Sequence, residues 1–430
     1  MSVETITTIS PTTNEPILTR NGVSASELEE IPRIATEAFK TWRATSLTDR
    51  TIIVKKALEL LEKQKDQLAE ELTVQMGRPI AYTGVEITTA IKRANYLIKI
   101  SEETLKDTEG EAEKGFKRFI RKVPVGPVLV IFAWNIFAEA GLPAGVIQYF
   151  HCGSPFIMES VVRDPKVSLI CFTGSVAGGL AVQKAASDRI VNVGLELGGK
   201  DPAYVREDVD LDWAAAEIVD GSIFNSGQSC CAIERVYVHE KIYSSFIKAT
   251  QKVLEGYKVG DPLEKDTQIG PVISKRSKET IEAQIKEALE KGAKDATPET
   301  LSSSTLPSRG NFVIPTLLVD VNHSMRIMTE ETFGPVVCVK MVKDDDEAIQ
   351  EMNDSEFGLT ASIWTKDTDK GYELAQRVEA GTVFVNRADF PSPDLAWTGW
   401  KNSGKGVTLS RYGFDQFVKL KSFHLKDYPK

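Results

Sequence analysis

The residue best placed for nucleophilic chemistry is Cys230, in the run Phe224-Asn-Ser-Gly-Gln-Ser-Cys-Cys-Ala. A helical pattern closes at Gly227 and a strand pattern opens near Arg235, which puts the cysteine pair on a turn between elements. Backbone N–H groups there are free to face a ligand or a developing oxyanion. A thiolate in that position is a nucleophile. The competing reading is an inert buried cysteine, a common fate of this residue type, and Cys231 is read that way, as packing.

Glu196, in Val193-Gly-Leu-Glu-Leu-Gly-Gly-Lys200, is the second candidate. An acid between two leucines at the end of a β-rich run is either a surface end or a partly desolvated carboxylate with a raised pKa, able to act as a general base near neutral pH. Gly194 and Gly199-Lys200 come close to a phosphate-binding P-loop, but Asp201 replaces the hydroxyl that would ligate magnesium and would repel phosphates. A nucleotide-triphosphatase reading is therefore rejected. Phe172-Thr-Gly-Ser-Val-Ala-Gly-Gly179 is a small-residue turn from strand to helix, and a helix N-terminus without blocking side chains suits a pyrophosphate. Glu330-Glu-Thr-Phe-Gly-Pro-Val336 sets an acid and an aromatic on a loop entering a strand; on its own it is also an ordinary turn.

These segments need a scaffold, and the pattern supplies one. Apolar residues recur near 3.6 spacing from about Leu28 to Gly77 and again over Gly84–Leu105, which predicts long helices. Val128–Trp134 is a continuous apolar run, as expected of a strand buried on both faces. Strands at Val167–Phe172, Ile190–Leu195, Arg235–His239, Val336–Met341, Thr360–Trp364 and Thr382–Asn386 alternate with helices at Val176–Ser187, Leu211–Asn225, Ser277–Lys291, Asp344–Asn353 and Asp369–Glu379. Alternation of this kind means an α/β fold with largely parallel sheets. The charged stretch from Lys114 looks like an edge ribbon.

Composition bounds the function. With 52 basic and 61 acidic side chains the formal net charge is −9, which argues against nucleic acid as the main partner. Five scattered cysteines without a CxxC pair fit neither a disulfide scaffold nor a cysteine zinc site. No signal or transit segment is visible at the N-terminus, and the longest apolar run falls short of the ~20 residues a membrane span needs. A cytoplasmic protein with reduced thiols, and no metal, is expected.

Taken in order, FTGS, LELGGK, GQSC, EETFGPV and Lys401-Asn-Ser-Gly-Lys-Gly406 resemble the aldehyde dehydrogenase superfamily. The resemblance runs from the Asp49-Arg50 helix to a C-terminal strand at Gln416–Lys426, and the 34-residue step from Glu196 to Cys230 matches the family's spacing of base and nucleophile. It implies a doubly wound cofactor domain (1–113 and 127–197), an α/β catalytic domain (198–390), and an oligomerisation ribbon with a C-terminal arm (114–126 and 391–430). It further implies oxidation of an aldehyde with NAD or NADP through a Cys230 thiohemiacetal and thioester, with Glu196 activating water. The Asn135 amide and the Cys230 N–H would hold the oxyanion. Glu331 would bind the nicotinamide-side ribose with Phe333 beside it; Gly174 and Ser175 would lie near the pyrophosphate, and Trp134, Gly178 and Leu197 complete the cofactor site. Phe390 and Trp397, on the C-terminal loop, point to an apolar or aromatic aldehyde. A homo-oligomer, dimer or tetramer, is expected.

The chain departs from this family after Trp134-Asn135. There the family continues through a helix, a second cofactor-domain strand ending in a Lys-Pro-Ser motif, and most of another helix; here Asn135 runs straight into Ile136-Phe-Ala-Glu-Ala-Gly-Leu-Pro-Ala-Gly145. Eleven residues separate Trp134 from Val146, whereas a strand, crossover and strand need roughly 30 or more. The missing lysine would cost one charged hydrogen bond to the adenine ribose, ~1.5–3 kcal/mol. Removing an internal strand would expose its neighbours' apolar faces against a net stability of about 5–15 kcal/mol, so damage to the fold is the larger expected effect. Two readings follow: an active enzyme that tolerates the gap, or a catalytically impaired form that binds cofactor poorly and acts as a subunit partner of full-length homologues.

Overall fold

The structure is a computed structural model that describes residues 4–131, 143–302, 306–388 and 390–428. Its helical layer is built from Ala25–Trp42, Leu47–Lys63, Lys65–Met76 and Ile80–Leu105. The single helical stretch expected over Leu28–Gly77 is thus three helices. The first is opened by a capping box of Ser24 and Glu27, and the second by Ser46, whose hydroxyl accepts from Asp49 N–H; each cap satisfies orphan donors of the first turn. Gly77 ends the third at φ +79°, with room only for a hydrogen beside Pro271. That contact, and the bond from Ile80 N–H to Pro262 O at 2.8 Å, dock the helices on the loop that joins Tyr243–Leu254 to Lys275–Glu290. The largest sheet lies in the other half of the chain.

That sheet has seven strands in the order Lys294–Asp295, Thr316–Val319, Val336–Val342, Ile233–His239, Asp201–Val205, Thr360–Trp364, Thr382–Val385. All neighbours pair parallel except the first pair. Two buried clusters cover its faces, one around Tyr204, Tyr237 and Ile363, the other around Val205, Val236, Phe246 and Trp364. The strands Asp201–Val205 and Thr316–Val319 and the helix Tyr243–Leu254 are additions to the sequence-based reading.

A second sheet of four strands orders Gly404–Lys405, Asn192–Glu196, Leu169–Thr173, Val128–Ile131. Its last three are parallel, and Gly404–Lys405 returns from far along the chain to pair antiparallel with Leu195 and Glu196. Among the described residues Val128–Ile131 is the edge; the expected extension to Trp134 lies outside them. In this half Leu129, Val161, Val162, Ile170 and Val182 form one buried core, while Val130 on the edge strand is exposed. The third sheet pairs Val418–Lys426 with Phe116–Pro124 over nine residues, with Thr108–Glu109 beyond.

Candidate active site

The helix Leu211–Ile223, capped by the Asp210 carboxylate on Trp213 N–H, runs into a tight turn over Phe224–Gly227. Asn225, Ser226 and Gly227 all take positive φ there (53°, 59° and 71°). Such a turn is strained for side-chain-bearing residues and is held by several bonds. Ser226 Oγ donates to Gly270 O at 2.9 Å, Asn225 Nδ2 to Gln228 O at 3.0 Å, and Ile273 N–H to Gln228 Oε1 at 2.7 Å. A Cβ on Gly227 would overlap the Gly334 carbonyl, so the EETFGPV loop braces the same turn. Cys230 follows, and of the five cysteines its side chain is the exposed one; Cys231 and Cys338 are buried and Cys152 and Cys171 half-buried. Cys231 packs with Leu359 and Trp397.

Glu196 ends the strand Asn192–Glu196, and the loop after it reaches the cysteine turn. A Cβ on Gly199 would overlap the carbonyl oxygen of Cys230, and one on Gly198 would overlap the Glu331 carboxylate. The LELGGK motif therefore requires bare backbone in order to meet both the GQSC and the EETFGPV segments. The Glu196 carboxylate is half-buried and accepts a hydrogen bond from Thr408 Oγ1 at 3.1 Å and another from the Trp397 side chain. Burial pushes its pKa up to about 7, and those two bonds act in the opposite sense.

Glu331 accepts from Gly199 N–H at 3.0 Å. Burial first, and then the charge of Glu234, raise its carboxyl to about 7. Behind it Lys200 is fully buried, pairing with Glu234 at 2.5 Å and donating to Thr332 Oγ1 at 2.9 Å. Glu234 also accepts from the N–H groups of Thr332 and Phe333. The lysine that mimics a P-loop is thus a buried strut for the EETFGPV loop. Phe333 sits at φ +52° with its ring over one-third exposed.

Gly174 and Ser175 lie exposed at the start of the helix Val176–Ala185. Ser175 Oγ accepts from Gly178 N–H at 3.2 Å, and Gly174 N–H donates to Glu196 O at 3.1 Å, tying this turn to the acid. Cβ atoms on Gly174 or Gly178 would press within 2.8 Å of the Phe172 ring, and Gly179 gives way to Leu197 at 2.6 Å. The residues present fit the pyrophosphate of a dinucleotide: an open helix N-terminus, kept low by glycines, beside Leu197.

Cys230, Glu331 and the Gly174 turn each therefore meet the segment from Glu196 to Gly199. Trp134 and Asn135 lie outside the described residues. Phe390 and Trp397 have different neighbours. Phe390 carries the Arg387 guanidinium 3.7 Å from its ring centre, whereas Trp397 is buried on Cys231 with its side chain on Glu196, so it meets the acid. Thr408 and Lys200 went unread in the sequence as site residues. Thr408 follows Gly406 of the KNSGKG motif by two places, and that motif was the available signal.

Among the described residues no group of three His, Cys, Asp or Glu side chains is arranged to hold a metal ion, and no helix is long and apolar enough to cross a membrane. Compared with known proteins, the chain matches the model of the Aldehyde dehydrogenase family over residues 1–137 and 136–423. It is 30 % identical over 456 residues to succinate-semialdehyde dehydrogenase [NADP(+)] 1 of Mycobacterium tuberculosis, covering 97 % of this chain and 99 % of that protein. Since 97 % of 430 residues is about 417, roughly 40 of the 456 aligned positions hold no residue of this chain, and the family match stops and resumes at 136–137. The fold is similar to the NAD+ complex of aldehyde dehydrogenase from Bacillus cereus (TM-score 0.93, 27 % identity, 98 % of this chain and 93 % of that one). It is equally similar to succinic semialdehyde dehydrogenase from Streptococcus pyogenes in complex with NADP+ (TM-score 0.92, 28 % identity, 98 % and 100 %).

Proposed function

We propose, for a chain that belongs to the aldehyde dehydrogenase family and so oxidises an aldehyde with NAD or NADP, that Cys230 is the nucleophile and Glu196 the general base. The Cys230 thiolate adds to the aldehyde carbon, forming a C–S bond and moving the carbonyl electron pair onto oxygen. The Cys230 N–H, with the Asn135 amide assigned by resemblance, stabilises that oxyanion. When bound, the dinucleotide supplies the hydride acceptor that takes the thiohemiacetal to a thioester. Glu196 then accepts a proton from water as the water oxygen attacks the thioester carbon. The C–S bond breaks, the acid departs and the thiolate is restored. Gly174, Ser175, Gly178 and Leu197 bind the dinucleotide on one side, and Glu331 and Phe333 on the other.

One observation carries this reading: the exposed thiol stands on a turn whose carbonyl rests against Gly199, three residues beyond Glu196. A base pushed up to about 7 by burial is matched to proton transfer near neutrality. The test is pre-steady-state kinetics with Cys230→Ala and Glu196→Gln. Cys230→Ala should show no burst of reduced dinucleotide, and Glu196→Gln should keep the burst and lose most of the slow phase. A normal burst in Cys230→Ala would end the nucleophile assignment. Dinucleotide binding by the purified chain separates the active reading from the impaired one, for which nothing in the described fold speaks.

The substrate we assign is an uncharged aldehyde. The similar mycobacterial protein is named for an aldehyde that carries a carboxylate. Here Glu217 and Asp220, with Gly221, Phe224 and Ala388, line a hollow of about 160 Å³ at the end of the helix leading to Cys230. Two carboxylates there oppose an anionic tail. A homo-oligomer formed through the Val418–Lys426 strand completes the proposal.

A further inference from the structure

The segment from Trp397 to Thr408 has a position that its sequence does not advertise. It forms a closed loop: Trp397 and Thr408 exchange both backbone hydrogen bonds at 2.8 Å. Between them, Gly404 pairs with Glu196 and Lys405 with Leu195, and Leu197 N–H donates to Ser403 O at 2.9 Å. Gly404 is at φ +137°, where a Cβ would overlap the Leu195 carbonyl, so the loop can lie flat on the strand that ends at Glu196. The result is that the two residues closing the loop both turn polar side-chain groups onto one carboxylate.

We propose that Thr408 and Trp397 are positioning residues that hold Glu196 as an oriented carboxylate ready to take a proton from water. This rests on the assignment of Glu196 as the base. The indole N–H can only donate, and the Thr408 hydroxyl donates to Glu196 Oε1, whose acceptor strength is greatest when the carboxyl is ionised. Both therefore favour the charged form that the reaction requires, and both fix its oxygens, since two donors from one closed loop leave a carboxylate little rotational freedom. The other groups that face Glu196 come from two strands. From the neighbouring strand the Cys171 thiol feels its charge, and Thr173 stands opposite it in register. From the pairing strand, Lys405 is exposed and in register with Leu195.

The experiment compares wild type with Thr408→Val, Thr408→Ser, Trp397→Phe and Glu196→Gln, following the burst and the steady phase of dinucleotide reduction from pH 5.5 to 9. Removing a donor from the carboxylate raises its pKa. The rising limb of the steady phase should thus move to higher pH in Thr408→Val and Trp397→Phe by about one unit, tenfold in the ionisation equilibrium. Their burst amplitude and KM should change less than threefold, a pattern that general unfolding would not give. Thr408→Ser should recover the wild-type limb. An unmoved limb in a folded Thr408→Val protein, alongside a Glu196→Gln protein that has lost the steady phase, overturns the positioning role alone. A Glu196→Gln protein with full steady phase overturns the base assignment beneath it.

Discussion

Gly199 and the carbonyl of Cys230 meet so closely that the smallest side chain would displace one of them. The loop after Glu196 and the Cys230 turn thus share a hydrogen-sized gap, and their separation is set by backbone on both sides.

The first prediction concerns that gap. Gly199→Ala must shift the Cys230 turn or the Glu331 loop, because Gly199 N–H also anchors Glu331 at 3.0 Å. A displacement near 1 Å costs on the order of 100-fold in rate. We expect kcat to fall by about that factor while circular dichroism is unchanged. Steady-state kinetics beside a far-UV spectrum makes the comparison; undiminished turnover would mean that the contact does not set the geometry.

Lys200 and Glu234 make the second. Their side chains are 0 % and 5 % exposed, and Glu234 in turn carries the backbone of Thr332 and Phe333. Removing one partner leaves a buried charge without its counterion, which typically costs ~3–5 kcal/mol. Lys200→Met alone should therefore lower the thermal midpoint markedly, and Lys200→Met with Glu234→Gln, which removes the stranded charge and keeps an acceptor for Thr332 and Phe333, should recover part of the loss. Calorimetry on the two proteins reads this. Equal midpoints for wild type and Lys200→Met would show the pair to be dispensable.

Much of this arrangement is legible in the sequence, and the reason is local. The Gly and Ser residues beside Cys230, Glu196 and Gly174 mark turns, and turns advertise themselves in sequence. What was hidden depends on distant partners. Asp201–Val205 is a central strand with all five residues buried, yet it begins Asp-Pro, a pair depleted in strands. The structure accommodates Pro202 with a register shift, and Asp201 by accepting from Thr360 N–H and Oγ1. Trp397 reads as a pocket aromatic until Glu196, some 200 residues earlier, is seen to occupy its polar edge. Thr408 carries no signal of its own beyond its place two residues after the KNSGKG motif.

The third prediction is a stability profile. Burial lifts both Glu196 and Glu331 from 4.5 to about 7 in the folded chain. Between those values the native state binds more protons than the unfolded one, so stability declines as pH rises. The contribution is full below about pH 4.5 and gone once pH passes through 7. Other carboxylates, such as Asp345 held low mainly by its bonds with Arg206 and Tyr204, oppose this at acid pH. The test is the difference between variants. The wild-type midpoint should fall relative to that of Glu331→Gln between pH 5.5 and 8; parallel curves would contradict the shift.

Assembly gives the fourth. Val418–Lys426 pairs with Phe116–Pro124 on one side, and among the described residues nothing pairs with its other edge. Leu420 and Leu425 on it are exposed. A nine-residue free edge with apolar side chains is normally covered. Light scattering should give a dimer or tetramer, and Leu420→Glu with Leu425→Glu should shift it toward monomer; a monomeric wild type at micromolar concentration would remove the proposed interface.

The last prediction follows from charge at the hollow beside Phe224. Glu217 stands near enough to Asp220 to raise its carboxyl, though burial is the larger cause. The nearby cations are engaged: Arg78 bonds Glu86 at 2.6 Å while lying over the Phe224 ring, and Arg387 lies on Phe390. A substrate with a terminal carboxylate entering here meets two like charges, a penalty of about 1 kcal/mol for each at the effective dielectric of a surface cleft. Glu217→Gln with Asp220→Asn should then lower KM for succinate semialdehyde by about 3- to 30-fold. KM for an uncharged aldehyde of similar length should hardly change. The gain should shrink in 0.5 M salt, since screening already weakens the repulsion in the parent enzyme. Equal effects on charged and uncharged aldehydes would instead make the two acids structural, and no effect on either would place substrate entry elsewhere.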